Sequence, residues 1–295
     1  MFTRCMDLTF SLILTILLIN TALADSDKLE LAWELEGFKN PESAVHDPRL
    51  NILYISNVNG KPKDKDGNGY VSIVSVNGKL LNEKWVSGLN APKGLGVFDN
   101  TLYVADIDEL VAIDIDHGRI INKYKADDAK FLNDIDVDND GNVYISDMLL
   151  NRIYKLSVSG DDFQIWIESE ELEHPNGLHF TEDDIIVGSW GKMTDDPNMD
   201  VPGHLKRISL KTNNISSIGD GSAVGKLDGV EGNDEIGFFV TDWLNGALFH
   251  ISATGKVEQL LDFNKGSADH DLIEKENLLI IPQMKENKLF AYKIK

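Results

Sequence analysis

Side chains that could bind an ion or move a proton recur in six similar short blocks of this 295-residue chain. They are Pro41-Glu42-Ser43, Pro92-Lys93-Gly94, Leu132-Asn133-Asp134, Pro175-Asn176-Gly177, Leu227-Asp228-Gly229 and Ala268-Asp269-His270. Four of the central residues, Glu42, Asn133, Asn176 and Asp228, are oxygen donors that carry two formal negative charges between them. Hard cations such as Ca²⁺ or Mg²⁺ prefer such carboxylate and amide ligands, whereas zinc favours His and Cys. Lys93 and Asp269 complete the set of six. Asp134, with Asp106, Asp147 and Asp242 at the ends of apolar runs, is placed to orient ligands or water. A plainer reading is that Asn or Asp before Gly serves turn geometry, as at Asn176-Gly177 and Asp228-Gly229. Spacing alone leaves both readings open. His270 is a candidate to reach a shared channel. Trp190 and Trp243 either wall a sugar-sized pocket or pack between units.

For distant blocks to act together, a scaffold must bring them to one place. The central residues lie 51, 40, 43, 52 and 41 positions apart, the period of a propeller blade. After residue 25 apolar residues alternate and turn residues interrupt them, which is an all-β signal. Each block is followed by a second strand: Ile52–Ile55, Leu102–Ala105, Val143–Ser146, Ile185–Gly188, Phe238–Thr241 and Leu278–Ile281. Third strands begin near Tyr70, Leu110, Arg152, His204, Ala247 and Lys288, and five units add a fourth. The sixth runs out of chain at Lys295, so Leu29–Glu36 is expected to supply its missing strand and close the ring. The expected architecture is one six-bladed β-propeller of four-stranded antiparallel blades over residues 25–295; a pair of β-sandwiches would need a linker that is not visible. In such blades all six blocks converge on one face, beneath two enlarged loops at 57–69 and 190–203 that suit lids, binding walls or tolerated insertions.

Composition narrows the partners. A formal charge of −21 repels nucleic acid and anionic lipid surfaces. Residues 1–24 read as a signal peptide cleaved after Ala24, and a retained anchor would require a longer apolar run. The expected product is periplasmic or secreted, off the membrane, and without a cysteine, since the only one is Cys5. Asp136-x-Asp138-x-Asp140-Gly141 and Asp64-x-Asp66-x-Asn68-Gly69 echo half of a calcium loop, but neither has Glu at the twelfth position. Gly191-Lys192 lacks the rest of a phosphate loop, and no serine-hydrolase elbow or zincin motif is present.

Pro41-Glu42-Ser43-Ala44-Val45, Phe131-Leu132-Asn133-Asp134 with Asp140-Gly141-Asn142-Val143-Tyr144, His174-Pro175-Asn176-Gly177-Leu178 and Leu227-Asp228-Gly229 resemble the motifs of the regucalcin/gluconolactonase (senescence marker protein) family. The resemblance implies a six-bladed propeller with one axial divalent cation, Ca²⁺ first and Mg²⁺, Mn²⁺ or Zn²⁺ as alternatives, on Glu42, Asn133, Asn176 and Asp228. It implies hydrolysis of a small-molecule lactone or related ester, such as a sugar lactone, with Asp228 as base. One departure stands out: Phe131 occupies the position of the family's substrate-binding arginine. That favours the rival expectation of a non-catalytic propeller that binds a small ligand or partner protein around a structural ion.

Overall fold

A computed structural model describes residues 27–126 and 128–295; the expected leader, Cys5 and the cleavage point after Ala24 lie outside the described residues. Six four-stranded sheets follow one another along the chain. Their innermost strands are Pro41–Asp47, Pro92–Phe98, Leu132–Val137, Pro175–Phe180, Leu227–Asn233 and Asp271–Ile273. The second strands contain the expected segments, extended by one or two residues at most ends. Blades therefore form where alternation and turn residues placed them.

The sixth sheet is completed from the other end of the chain. Leu29–Glu36 pairs antiparallel with Lys288–Ile294, from Leu29 opposite Ile294 to Glu36 opposite Lys288. Leu29 is fully buried among Leu248, Phe290 and Tyr292, and the Trp33 indole donates to the Val76 carbonyl of the first blade at 3.0 Å. The alternation of this strand is broken, however. Its register slips between Leu31 and Trp33, which leaves Leu31 45% exposed and turns Trp33 and Leu35 toward the first blade.

Apolar clusters fill the spaces between neighbouring blades, as where Tyr54 and Val71 of the first meet Leu95 and Leu102 of the second. The first five inner strands share one irregularity, a bulge at the block. Pro41 faces Asn57 and Ala44 faces Ile55, so Glu42 and Ser43 together oppose Ser56; the other four repeat the pattern. A hydroxyl from the second strand takes up the extra amide hydrogen in three blades. Ser56 accepts from Ser43, Ser146 from Asp134 and Thr241 from Gly229, each at 2.9 Å. Two of these hydroxyls then donate to the next blade's block, Ser146 to the Asn176 carbonyl and Thr241 to that of Ala268.

Because the closing strand inserts Leu29 into the core between blades, Leu29→Ala should lower unfolding free energy by about 2–5 kcal/mol. Chemical denaturation of the mature chain checks this, with Leu31→Ala, on the exposed side of the slip, expected to change it by under about 0.5 kcal/mol.

Candidate functional site

The bulges turn five block residues toward one mouth of the axis. Glu42, Lys93, Asn133, Asn176 and Asp228 line the floor of a cavity of about 210 Å³. All five are buried. The alternative of turn geometry does not hold for the Asn-Gly and Asp-Gly pairs, which lie inside strands. Gly177 and Gly229 are absent from the left-handed region, and the reason for glycine is crowding: a Cβ at Gly177 would stand 1.8 Å from the Asp228 carbonyl oxygen.

The sixth position needs a correction. Ser267 pairs with Gln283 as Pro41 pairs with Asn57, and Thr241 reaches the Ala268 carbonyl as Ser146 reaches that of Asn176. Ala268 therefore completes the ring, and Asp269 lies one step below it. There Asp269 accepts from the Ser43 hydroxyl at 2.6 Å and bridges to the first blade through its own amide, bonded to the Glu42 carbonyl. The same shift moves His270 off the mouth. It occupies a position that is Ala, Leu, Ile, Leu or Val in the other blades, both ring nitrogens lack hydrogen-bond partners, and burial drives its pKa down to about 3.

At the floor, Asn133 donates its amide to Asn176, which in turn donates to Asp228 Oδ1 at 3.1 Å and to the Leu227 carbonyl at 3.0 Å. Glu42 Oε2 is buried with no hydrogen-bond partner. Burial pushes the Glu42 carboxyl well above the ordinary range, and Asp228 adds to the effect while Lys93 opposes it. Burial likewise raises Asp228, helped by Asp269 and Asp242 and opposed by the Asn176 amide. Lys93 is lowered to about 8 by burial, against the pull of Glu42 and Asp106. Among the described residues no three His, Cys, Asp or Glu side chains gather to hold a metal. A cation at this mouth would need the two amides beside the two carboxylates, and an orphaned carboxylate oxygen amid oxygen donors fits a hard ion.

The other carboxylates have structural partners. Asp106 accepts from the Asn90 and Ala91 amides, Asp147 from Lys130 and Phe131, and Asp242 from Leu244 and Asn245. They hold loops, and Asp242 and Asp106 also act through their charge on Asp228 and Lys93 of the floor. Asp134 reaches across to the Leu178 amide at 2.7 Å and faces a second cavity, of about 140 Å³, farther along the axis. The sequence reading took Asp136 only as part of a calcium-loop echo and missed Glu231 and Asp271 around that cavity, although each of the three stands three places beyond the residue that its blade gives to the ring. His179 lies 3.5 Å from Glu231 and 3.7 Å from Asp136.

Above the floor the walls are apolar. Trp190 and Trp243 both line the cavity, 6.0 Å apart and tilted by 47°, joined by Val58, Pro62, Phe131, Met148 and Met284. Val58, Met148, Trp190, Trp243 and Met284 each directly follow a second strand, a signal that would have found the residues missed there. The first enlarged loop supplies Gly60 and Pro62 as wall. The second gives Trp190, then folds aside as a ribbon of Gly191–Lys192 and Val201–Pro202. Phe131 carries Lys93 4.6 Å and Lys63 5.2 Å from its ring centre, so positive charge flanks the position where the family has arginine.

No protein-family model matches the sequence, and no curated protein does. Solved structures match in three dimensions. A gluconolactonase from Xanthomonas campestris aligns with a TM-score of 0.65 and 14% identity over 90% of this chain and 89% of that one. The chain shares its fold. A catalytically inactive variant of virginiamycin B lyase from Staphylococcus aureus, solved with quinupristin, aligns at 0.59 and 13% identity over 91% of this chain and 100% of that one. The propeller expected from the sequence is thus matched in fold by a gluconolactonase.

Raised carboxyl pKa values predict a pH dependence. A carboxyl that keeps its proton in the folded state loses folding stability as pH rises from its unfolded value toward its folded one. In chelator-treated protein, Glu42→Gln should therefore be more stable than wild type, by a margin that grows as pH rises above the ordinary carboxyl value toward the raised folded one, at up to about 1.4 kcal/mol per pH unit. Urea unfolding of both proteins across that range measures it.

Proposed function

We propose that the chain hydrolyses a lactone or related ester with the help of one divalent cation held by Glu42, Asn133, Asn176 and Asp228. The observation that carries the reading is the convergence of these four oxygen donors, two of them ionisable and one with an orphaned oxygen, at the floor of a pocket large enough for a small substrate. A bound divalent ion would supply polarisation of the ester carbonyl and a lowered pKa for water.

This chain's own residues would do the rest. Asp228, the proposed base, has its carboxyl pKa raised by burial, which brings it nearer the range where it can accept a proton near neutrality and return it. The Asn176 amide, bonded to Asp228 Oδ1, fixes which carboxylate oxygen faces the cavity. Trp190, Trp243 and Phe131 displace water from the volume above. Export by the 1–24 leader, to a periplasmic or secreted location, belongs to the same proposal. So does Ca²⁺ as the first ion to try, ahead of Mg²⁺, Mn²⁺ and Zn²⁺.

One observation favours a second reading, that of a non-catalytic propeller binding a small ligand or a partner protein: the apolar ring of Phe131 lines the pocket where an arginine would hold a substrate. A panel of lactones and aryl esters separates the two. Turnover that depends on an added divalent ion, is abolished by chelator and falls at least ~100-fold in Asp228→Ala supports the hydrolase. Tight ion binding without turnover of any panel member overturns it.

A further inference from the structure

The mouth of this pocket has the opposite sign of charge to the chain as a whole. The formal charge is −21, yet four lysines from four separate segments stand around the three aromatic rings of the wall, and a fifth, Lys93, rises from the floor. Lys63 and Lys93 lie by Phe131, Lys226 is 5.8 Å from the Trp190 ring centre, and Lys265 and Lys285 are 4.7 and 5.3 Å from that of Trp243. Lys226 pairs with Asp200 at 3.4 Å and Lys93 donates to the Ala91 carbonyl at 2.9 Å. Among the described residues, Lys63, Lys265 and Lys285 have no carboxylate partner. Cation–π contact stabilises such lysines only modestly, and like charges gathered at a low-dielectric rim repel one another.

We infer that the pocket takes a compact, planar, largely apolar molecule of one or two rings bearing an anionic group, which is held at the lysine collar while the rings lie against Trp190 and Trp243. The inference rests on the reading of this cavity as the ligand site. Sign and shape agree on it. A cleft lined by one sign of charge concentrates the opposite sign, and an acidic body surrounding a basic mouth sharpens the contrast. The oxygen donors of the floor, Glu42, Asn133, Asn176 and Asp228, are committed to the proposed ion, which leaves Lys63, Lys265 and Lys285 at the rim as the cations free to hold an anionic group. Between them the walls are Val58, Pro62, Met148, Met284 and aromatic rings, which offer a polyhydroxylated sugar few partners for its hydroxyls. At about 210 Å³ the cavity exceeds the ~150 Å³ that accommodates benzene.

The test is a set of equilibrium titrations on chelated and on Ca²⁺-loaded mature protein, read by calorimetry, with 2-naphthoate, its neutral isostere 2-naphthamide, and glucono-1,5-lactone. Naphthoate should bind about tenfold or more tighter than naphthamide at low salt, and the gap should close near 0.5 M NaCl, where the Debye length is only about 4 Å. In the triple variant Lys63→Gln, Lys265→Gln, Lys285→Gln, all three exposed positions, naphthoate should weaken to the level of naphthamide while naphthamide is unchanged. Equal binding of the two naphthalenes overturns the inference, as does undiminished naphthoate binding in the triple variant or a preference for gluconolactone over both. Its failure is distinct from that of the hydrolase reading. Charge-selective binding without turnover leaves this inference standing alone, and turnover confined to neutral sugar lactones leaves only the hydrolase.

Discussion

Crowding at the propeller axis is the constraint from which the other features follow. Six inner strands meet edge to edge around one line, and their amides must find partners where bulky side chains have little room. Glycine answers the steric half of the problem: a Cβ at Gly94 would come within 2.5 Å of the Asp134 backbone, and at Gly177 closer still to Asp228. Carboxylates answer the polar half. Asp134 accepts from Leu178, Asp136 from Phe180 and Asp271 from His46, each reaching from one inner strand to the exposed edge of the next. The bulges add an amide that Ser56, Ser146 and Thr241 absorb.

These same devices create the chemistry. A bulge places two successive residues on one side of a strand that would otherwise alternate, so the block residue can face the mouth while its neighbour serves the axis. Acids used to pair edges are buried, and burial raises their pKa, as for Asp271 at about 6 and Asp269 at about 7. The axis is consequently a column of carboxyl groups that hold protons readily. At its mouth the column ends in Glu42 and Asp228, and above them the polarity reverses through apolar walls to a lysine rim. A ligand entering this pocket meets lysines first, apolar walls next and the oxygen donors last.

Much of this was legible along the chain. Blade number, strand order and closure by Leu29–Glu36 follow from a repeat whose alternation is local, and local alternation survives folding. The convergence of Glu42, Asn133, Asn176 and Asp228 followed from register alone. Where register itself changed, reading failed. The sixth block looks like the others when aligned on its acid, but pairing with Leu278–Gln283 places Ala268 in the ring and drops Asp269 and His270 down the axis. The closing strand shows the same effect, because the one-residue slip after Leu31 puts Trp33 and Leu35 on the opposite face from Leu29. The loop amides bound by Asp106, Asp147 and Asp242 were not legible either, since an acid at a strand end is as close to loop amides as to a ligand.

By itself, then, the sequence determined the propeller, the order of its blades and the four oxygen donors at one end, because each depends on periodicity and on short-range pairing. Only the tertiary structure decided what surrounds those donors. Trp190 meets Trp243, and Lys63 meets Phe131, across blades and out of loops whose course no repeat dictates. Which carboxylates are buried, and hence which keep their protons, is likewise a property of six strands meeting at one axis, not of any one strand.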